Sequence, residues 1–278
     1  MNIGIAGLGL IGGSMAKSIK IKTGHTVFGC DINPETLIMA KLSGAIDEEL
    51  TDTNLSECDI VFLALTPKVA IDWLKVNAEK ISPSAVVVDF CGVKRSVFCE
   101  MKGASDKYGF KYVGGHPMAG KERGGFKNSS PDLFSGASMI LTPDSETLPE
   151  TLETLSKLFY DVGFARVVYS TTDEHDKIIA YTSQLAHIVS SAYVKSPEAQ
   201  RQRGFSSGSF KDMTRVAYLD ENMWTELFLS NSDYLINELE LLINNLNEYK
   251  DALKKEDCVA LNRLLREGRE CKIQAGGN

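Results

Sequence analysis

Over the first 170 or so residues, short apolar runs alternate with longer amphipathic stretches. The runs "NIGIAGLG" from Asn2 and "HTVFGCD" from His25 read as strands, and "IGGSMAKSIKI" and "PETLIMAKLSG" read as the helices that follow them. The stretches "CDIVFLAL" from Cys58 and "AVVVDF" from Ala85 carry no polar alternation. That is the pattern of strands buried on both faces of a parallel sheet. Strands separated by helix-length segments predict βαβ units. Further strands are predicted at "FKYVGGH", "ASMILTP" and "ARVVYST", with a helix over "SETLPETLETLSKLFYDVG" between the last two.

Near Ser170 the pattern turns helical. "TTDEHDKIIAYTSQLAHIVSSAYV" opens with Thr171 and, three residues on, Glu174, the signature of a capping box. "NMWTELFLSNSDYLINELELLINNLNEYKDALKKED" and "CVALNRLLREGREC" repeat apolar residues at three-and-four spacing. Between the first of these helical stretches and "NMW", "KSPEAQRQRGFSSGSFKDM" reads as a long loop, and long loops in compact domains are often functional. The expected fold is α/β: a Rossmann-type doubly wound sheet over residues 1–168, then an all-helical domain over residues 169–278.

Composition narrows the choice of function. Of the 278 residues, 43% are hydrophobic, enough for a substantial core. The formal net charge of −7 and the lack of a long Lys/Arg run argue against nucleic acid or an anionic membrane as the main partner. No apolar run is long enough to span a bilayer. The six cysteines show no CxxC pair and no metal-ligand spacing, so no metal is predicted and a reducing cytoplasm is expected.

Candidate chemistry begins at Gly7-Leu8-Gly9-Leu10-Ile11-Gly12, a GxGxxG placed between a strand and a helix. Gly7 permits the turn, Gly9 lets a pyrophosphate approach the helix N-terminus, and Gly12 lets helix and strand pack closely. Asp31 ends the second strand, where a carboxylate accepts from a ribose diol and repels a 2′-phosphate. Ile32 and Asn33 supply no arginine for such a phosphate, so NAD is favoured over NADP. The loops "ALTPK", with Thr66 and Pro67, and "DFCGVK", with Cys91 and Gly92, end later strands and are expected to line the same cleft.

The chain has four histidines. His116, in "YVGGHPMAGKERGG", should project from a strand end toward the cleft, as a base or as a loop histidine with no task. His187 and Gln184 lie three apart and should share a helix face, with a core or interface role as the alternative. His175 sits beside Asp173, Glu174 and Asp176, which favours a carboxylate-neighbour or capping role over a metal site. Arg215, four residues after Lys211, offers a two-pronged grip on a carboxylate or is a solvated surface cation.

Taken together, "GLGLIGGS" with "CDIN", "DFCGVK", "VGGHPMAG", "HD" before "SQLAH", and "GSFKDMTR" before "MW" resemble the prephenate dehydrogenase family of tyrosine biosynthesis, in the family's order and over nearly the whole chain. The resemblance implies oxidative decarboxylation of prephenate to 4-hydroxyphenylpyruvate with hydride transfer to NAD. It implies His116 as the catalytic histidine on the ring hydroxyl and Arg215 as the grip on the side-chain carboxylate. It places His187, Gln184, Gly208 and Glu122 at the substrate, and Trp224 near the pocket of a partner subunit in a homodimer. Many members carry a serine where Gly92 stands and a histidine where Gln184 stands. Cys91, a water or the cofactor ribose are the candidates to replace that serine. Arogenate is the alternative substrate. A β-hydroxyacid dehydrogenase or imine reductase using Lys177 or Lys195, and a silent nucleotide sensor, are the alternatives from other classes.

Overall fold

The computed structural model describes residues 1–276. Among them are eight strands: β1 (Asn2–Ala6), β2 (Thr26–Cys30), β3 (Glu48–Glu49), β4 (Ile60–Leu63), β5 (Val86–Asp89), β6 (Lys111–Pro117), β7 (Ser138–Thr142) and β8 (Arg166–Tyr169). They form one sheet in the order β3-β2-β1-β4-β5-β6-β7-β8. The strands from β3 to β6 run parallel to their neighbours. β7 then pairs antiparallel with β6, with His116 opposite Ile140, and β8 runs parallel to β7. The expected doubly wound sheet is present, with a reversed pair of strands at one edge. β3 escapes the hydrophobic pattern because it is two exposed glutamates long.

The unbroken apolar runs have a clear cause. Ile60 and Phe62 face one core layer with Ile3, Ile5 and Val88, while Val61 and Leu63 face a second with Val87, Leu74 and Met101. Both faces of the central strands are therefore covered, and their positions are apolar up to Asp89, the buried residue that ends β5. The covering helices are α1 (Leu10–Lys22), α2 (Pro34–Leu42), α3 (Asp52–Leu55), α4 (Pro67–Asn77), α5 (Arg95–Tyr108) and α6 (Pro149–Val162). Gly109 and Gly163 end α5 and α6 in the left-handed region, which relieves the last carbonyls of each helix.

After β8 come α7 (Thr172–Ile179), a π-helical segment (Ala180–Leu185), α8 (Ala186–Tyr193), α9 (Gly208–Thr214), α10 (Glu221–Leu229), α11 (Ser232–Lys254) and α12 (Cys258–Gln274). Half of the expected capping box forms: Thr171 accepts from Glu174 N, while the Glu174 carboxylate turns to Ser170 Oγ. By compactness the chain divides into Met1–Asn231 and Ser232–Asn278. In the second unit α11 and α12 are tied by Tyr249 donating to Leu264 O, and Asp257 caps α12. Ile236, Leu241, Leu246, Leu253 and Leu265 stand more than half exposed on these two helices.

In the strand order, β1 has β2 on one side and β4 on the other, so successive crossovers leave in opposite directions there. Ligands of doubly wound sheets bind at the carboxyl ends of the strands at such a switch point. Gly12 is what allows α1 to begin that close to β1. A Cβ on Gly12 would stand 1.8 Å from Gly7 O and 2.9 Å from Ala64 Cβ. We expect Gly12→Ala to lower stability by at least about 1–3 kcal/mol through overpacking, read as a lower urea midpoint with an unchanged slope.

Candidate active site

The loops after β1, β4, β5 and β6 lie along one edge of the sheet. Gly7 holds a φ of +88°, which its missing side chain permits, and the turn delivers α1 with Gly9 at its N-cap. No side chain caps α1 and no acid stands in its first turn, so its N–H groups are left for an anion. A Cβ on Gly9 would meet no described atom within 4 Å, the open space a pyrophosphate requires. Asp31 is pinned at the end of β2, with Oδ2 accepting from Leu8 N at 2.8 Å and Oδ1 from Asn33 N at 2.9 Å. Both oxygens keep lone pairs for a ribose diol. Ile32 beside it is fully exposed, and a 2′-phosphate would meet a carboxylate and no guanidinium. These residues fit NAD. Leu8 is buried in the core, so its contribution to the cradle is its backbone. Thr66 and Pro67 start α4, where Lys68 N donates to Glu226 Oε1 of α10 at 2.6 Å.

Cys91 departs from expectation. Its thiol is buried and points at Leu65 O, 3.7 Å away, and its N–H donates to Asp89 Oδ1. Burial, then the charge of Asp89, push its pKa well up. A neutral, inward thiol cannot stand in for a hydroxyl at the cleft.

His116 occupies the end of β6. The glycines before it allow close packing: a Cβ on Gly115 would lie 2.8 Å from the Asp89 carbonyl oxygen. A Cβ on Gly114 would lie 2.3 Å from Thr142 Oγ1 and 3.2 Å from Lys94 Cδ. The Lys94 side chain threads past them, fully buried, to pair with Asp89 and to donate to Gly115 O at 2.6 Å. Tyr112 Oη donates to the other Asp89 oxygen at 2.7 Å.

The partner of His116 is His175, with His116 Nδ1 2.9 Å from His175 Nε2. His175 Nδ1 in turn lies 2.7 Å from Asp176 Oδ1. His175 was expected beside a carboxylate, and it is; its second contact, to His116, carries no local signal because 59 residues separate the two. Asp176 also accepts from Lys94 N at 2.7 Å and Arg95 N at 2.9 Å, at the start of α5. Burial raises the Asp176 pKa, but His175 and the two N–H donors outweigh it and the carboxyl ends up below its ordinary value. Desolvation, then His175 and Lys94, hold His116 well below the ordinary histidine value. Desolvation also lowers His175, against the pull of Asp176.

Arg215 follows α9 and forms an ion pair with Glu122 of the β6–β7 connection at 2.7 Å, with both side chains well exposed. A guanidinium has five donors, so Arg215 can hold Glu122 and still present a face to a carboxylate. His187 Nδ1 donates to Ser183 O at 2.8 Å, leaving Nε2 as an acceptor. Its ring lies on Trp224, with centroids 3.9 Å apart. Trp224 thus packs on a histidine of its own chain. Desolvation chiefly lowers the His187 pKa, and Arg215 adds to this.

Gln184 does not share this environment. It is buried, its amide donates to Leu227 O at 3.1 Å, and its oxygen accepts from Asn231 Nδ2 at 2.9 Å. The expectation of a substrate contact fails because its polar atoms are spent inside the protein. The π-helical turn contributes to the separation. Twelve residues part His175 from His187, a rotation of about 120° on a regular α-helix. One extra residue in the π turn reduces this to about 20°, which brings the two histidines to one side of the helix. Gly208 opens α9, and a Cβ there would meet no described atom within 4 Å.

Comparison with known proteins bears on this edge of the sheet directly. A family model described as "Prephenate dehydrogenase, nucleotide-binding domain" matches residues 15–169, and one described as "Prephenate dehydrogenase, dimerization domain" matches residues 171–267. The chain belongs to the prephenate dehydrogenase family. Among relatives of the prephenate dehydrogenase family, the prephenate dehydrogenase of Lactococcus lactis is 30% identical over 96% of this chain and 75% of its own length. A crystal structure of prephenate dehydrogenase from A. aeolicus in complex with hydroxyphenyl propionate and NAD+ is 31% identical, covers 99% of this chain and 97% of its own, and has a TM-score of 0.85. A Synechocystis arogenate dehydrogenase structure is 27% identical, covers 99% of this chain and 100% of its own, with a TM-score of 0.81.

Gly92 stands beside His116 with room on one side. A Cβ there would stand 3.3 Å from Leu227 Cδ2 and 3.9 Å from His116 Nε2. Leu227 must yield by a few tenths of an ångström, so we expect Gly92→Ser to cost about 1 kcal/mol, the low end of overpacking, in denaturant unfolding. A larger loss would show that this side of Gly92 is closed.

Proposed function

We propose that the protein catalyses oxidative decarboxylation of prephenate to 4-hydroxyphenylpyruvate, with NAD as cofactor, in tyrosine biosynthesis. The observation that carries this reading is His116: an imidazole kept neutral at the mouth of the nucleotide crevice, its Nδ1 engaged by His175 and its Nε2 turned toward Gly92. A neutral imidazole there is a base. Residues 1–168 hold the cofactor and residues 169–278 supply substrate contacts and the partner interface. The exposed leucines and isoleucines of α11 and α12 support a homodimer, because surface of that kind is usually covered.

NAD, when bound, supplies the hydride acceptor. The protein does the rest by position. Arg215 grips the side-chain carboxylate of prephenate, and His187 and Trp224 wall the pocket beside it. His116 Nε2 takes the proton of the ring hydroxyl as the hydride leaves the same carbon, so the C–O bond becomes a carbonyl instead of a bare cation. Loss of the ring carboxylate as carbon dioxide returns its bonding pair to the ring, which becomes aromatic, and the phenol oxygen recovers the proton from His116. Lys177 and Lys195, the lysines that a β-hydroxyacid dehydrogenase would need, are both solvent-exposed.

Arogenate has one specific observation in its favour. Glu122 lies 2.7 Å from Arg215, and released from it the carboxylate could meet an ammonium group. Comparing kcat/KM for prephenate and arogenate decides between the two.

Purified protein with prephenate and NAD should produce NADH. His116→Asn should reduce kcat by roughly 10²–10⁴-fold with little change in KM, and Arg215→Gln should mainly raise KM. The absence of turnover by folded protein on either substrate would refute the reaction class. The pH profile is a separate test. The base acts when neutral and its pKa is depressed, so kcat/KM should stay level as pH falls to 6.5 and decline only below it. An acid limb above that value would contradict the buried, neutral histidine.

A further inference from the structure

We propose that His175 and Asp176 are positioning residues that lock His116 in one tautomer, with the proton on Nδ1 and the lone pair on Nε2. The inference rests on the reading of His116 as the base. It concerns the nitrogen on the far side of the ring from Gly92, which faces Nε2.

The chain of donors and acceptors has one consistent solution. The Asp176 carboxylate accepts N–H groups from Lys94 and Arg95 of the main chain, at 2.7 and 2.9 Å, and from Arg95 Nε at 3.4 Å. An ionised carboxylate so surrounded has no proton to give, so His175 Nδ1, 2.7 Å away, is the donor to it. A neutral imidazole that carries its proton on Nδ1 has a lone pair on Nε2. His116 Nδ1, 2.9 Å from that lone pair, must then donate to it. Its own Nε2 is left as an acceptor. Nε2 is also the atom that faces Gly92.

The lock is rigid for physical reasons. His175 and Asp176 are buried, so no water competes for either bond. Asp176 cannot turn away without abandoning the N–H groups at the start of α5, and Asn231 holds its carbonyl through a 2.8 Å bond from Nδ2. When His116 takes up a proton, its Nδ1–H remains bonded to His175, and the ionised carboxylate beyond stabilises the cation. The same logic applies wherever an aspartate orients a catalytic histidine through its far nitrogen. Here a second imidazole extends the reach by one ring.

The direct test needs neither substrate nor cofactor. In protein labelled with ¹⁵N histidine, long-range ¹H–¹⁵N spectra near neutral pH report which ring nitrogen carries the proton, with His116→Asn and His175→Gln giving the assignments. We expect His116 and His175 both protonated at Nδ1 and bare at Nε2. His116 with its proton on Nε2 would overturn the proposal whether or not prephenate is the substrate, and an enzyme inactive on prephenate but showing the expected tautomers would refute only the function. Two substitutions add a kinetic readout. His175→Leu keeps an apolar filling but removes the acceptor, and kcat should fall roughly 10²-fold with KM within about threefold. His175→Gln restores a carbonyl acceptor and should recover most of the rate. Equal losses in both variants, or none in His175→Leu, would reduce His175 to packing.

Discussion

The carboxylate of Asp176 is the constraint around which the site is arranged. Removing a charge from water is costly unless every lone pair finds a donor. Asp176 meets that demand with the N–H groups of Lys94, which caps α5, and of Arg95, its first residue, with the Arg95 side chain and with the His175 ring. Each donor belongs to a different task. The α5 start closes the loop that bears Gly92, the His175 ring reaches His116, and Arg95 also donates to Asn231 at 2.9 Å. One buried charge thus sets the distance between the nucleotide-binding sheet and the helix that follows it.

Lys94 links this carboxylate to a second. Its main chain donates to Asp176, while its ammonium group crosses the sheet edge to Asp89 and Gly115 O. Asp89 is completed by Tyr112 and by the N–H of Cys91. The ends of β5 and β6 and the start of α7 are therefore held in one polar assembly with little freedom. This explains the glycines before His116. Gly114 leaves room for the lysine, since a methyl group there would collide with Thr142 and crowd Lys94, and Gly115 lets β6 approach Met139 and the Asp89 carbonyl. The cation also acts at a distance, since its charge adds to the desolvation that keeps His116 unprotonated.

The substrate side is looser by comparison. Arg215 and Glu122 pair in the open, where such a bond contributes little to stability and is easily exchanged for another carboxylate. His187 is oriented by a main-chain carbonyl and a stacked tryptophan. Buried, fully bonded groups thus hold His116, while Arg215 and Glu122 stay exposed and exchangeable.

Much of this was legible in the chain itself. The strand runs at Ile60–Leu63 and Val86–Asp89, the glycine turn with Asp31, and the placement of His116 at a strand end follow from local periodicity and spacing, which act over a few residues. The reversed strand β7, the inward thiol of Cys91, the burial of Gln184 and the π turn do not, because each depends on what packs against it. The histidine chain is the clearest case. His116, His175 and Asp176 are ordinary residues in their own neighbourhoods, and no spacing rule joins two histidines 59 positions apart. By itself the sequence determined the elements and the chemical groups on them. Only the tertiary structure decided which nitrogen of His116 is left free, because that depends on donors from three separate segments meeting where water is excluded.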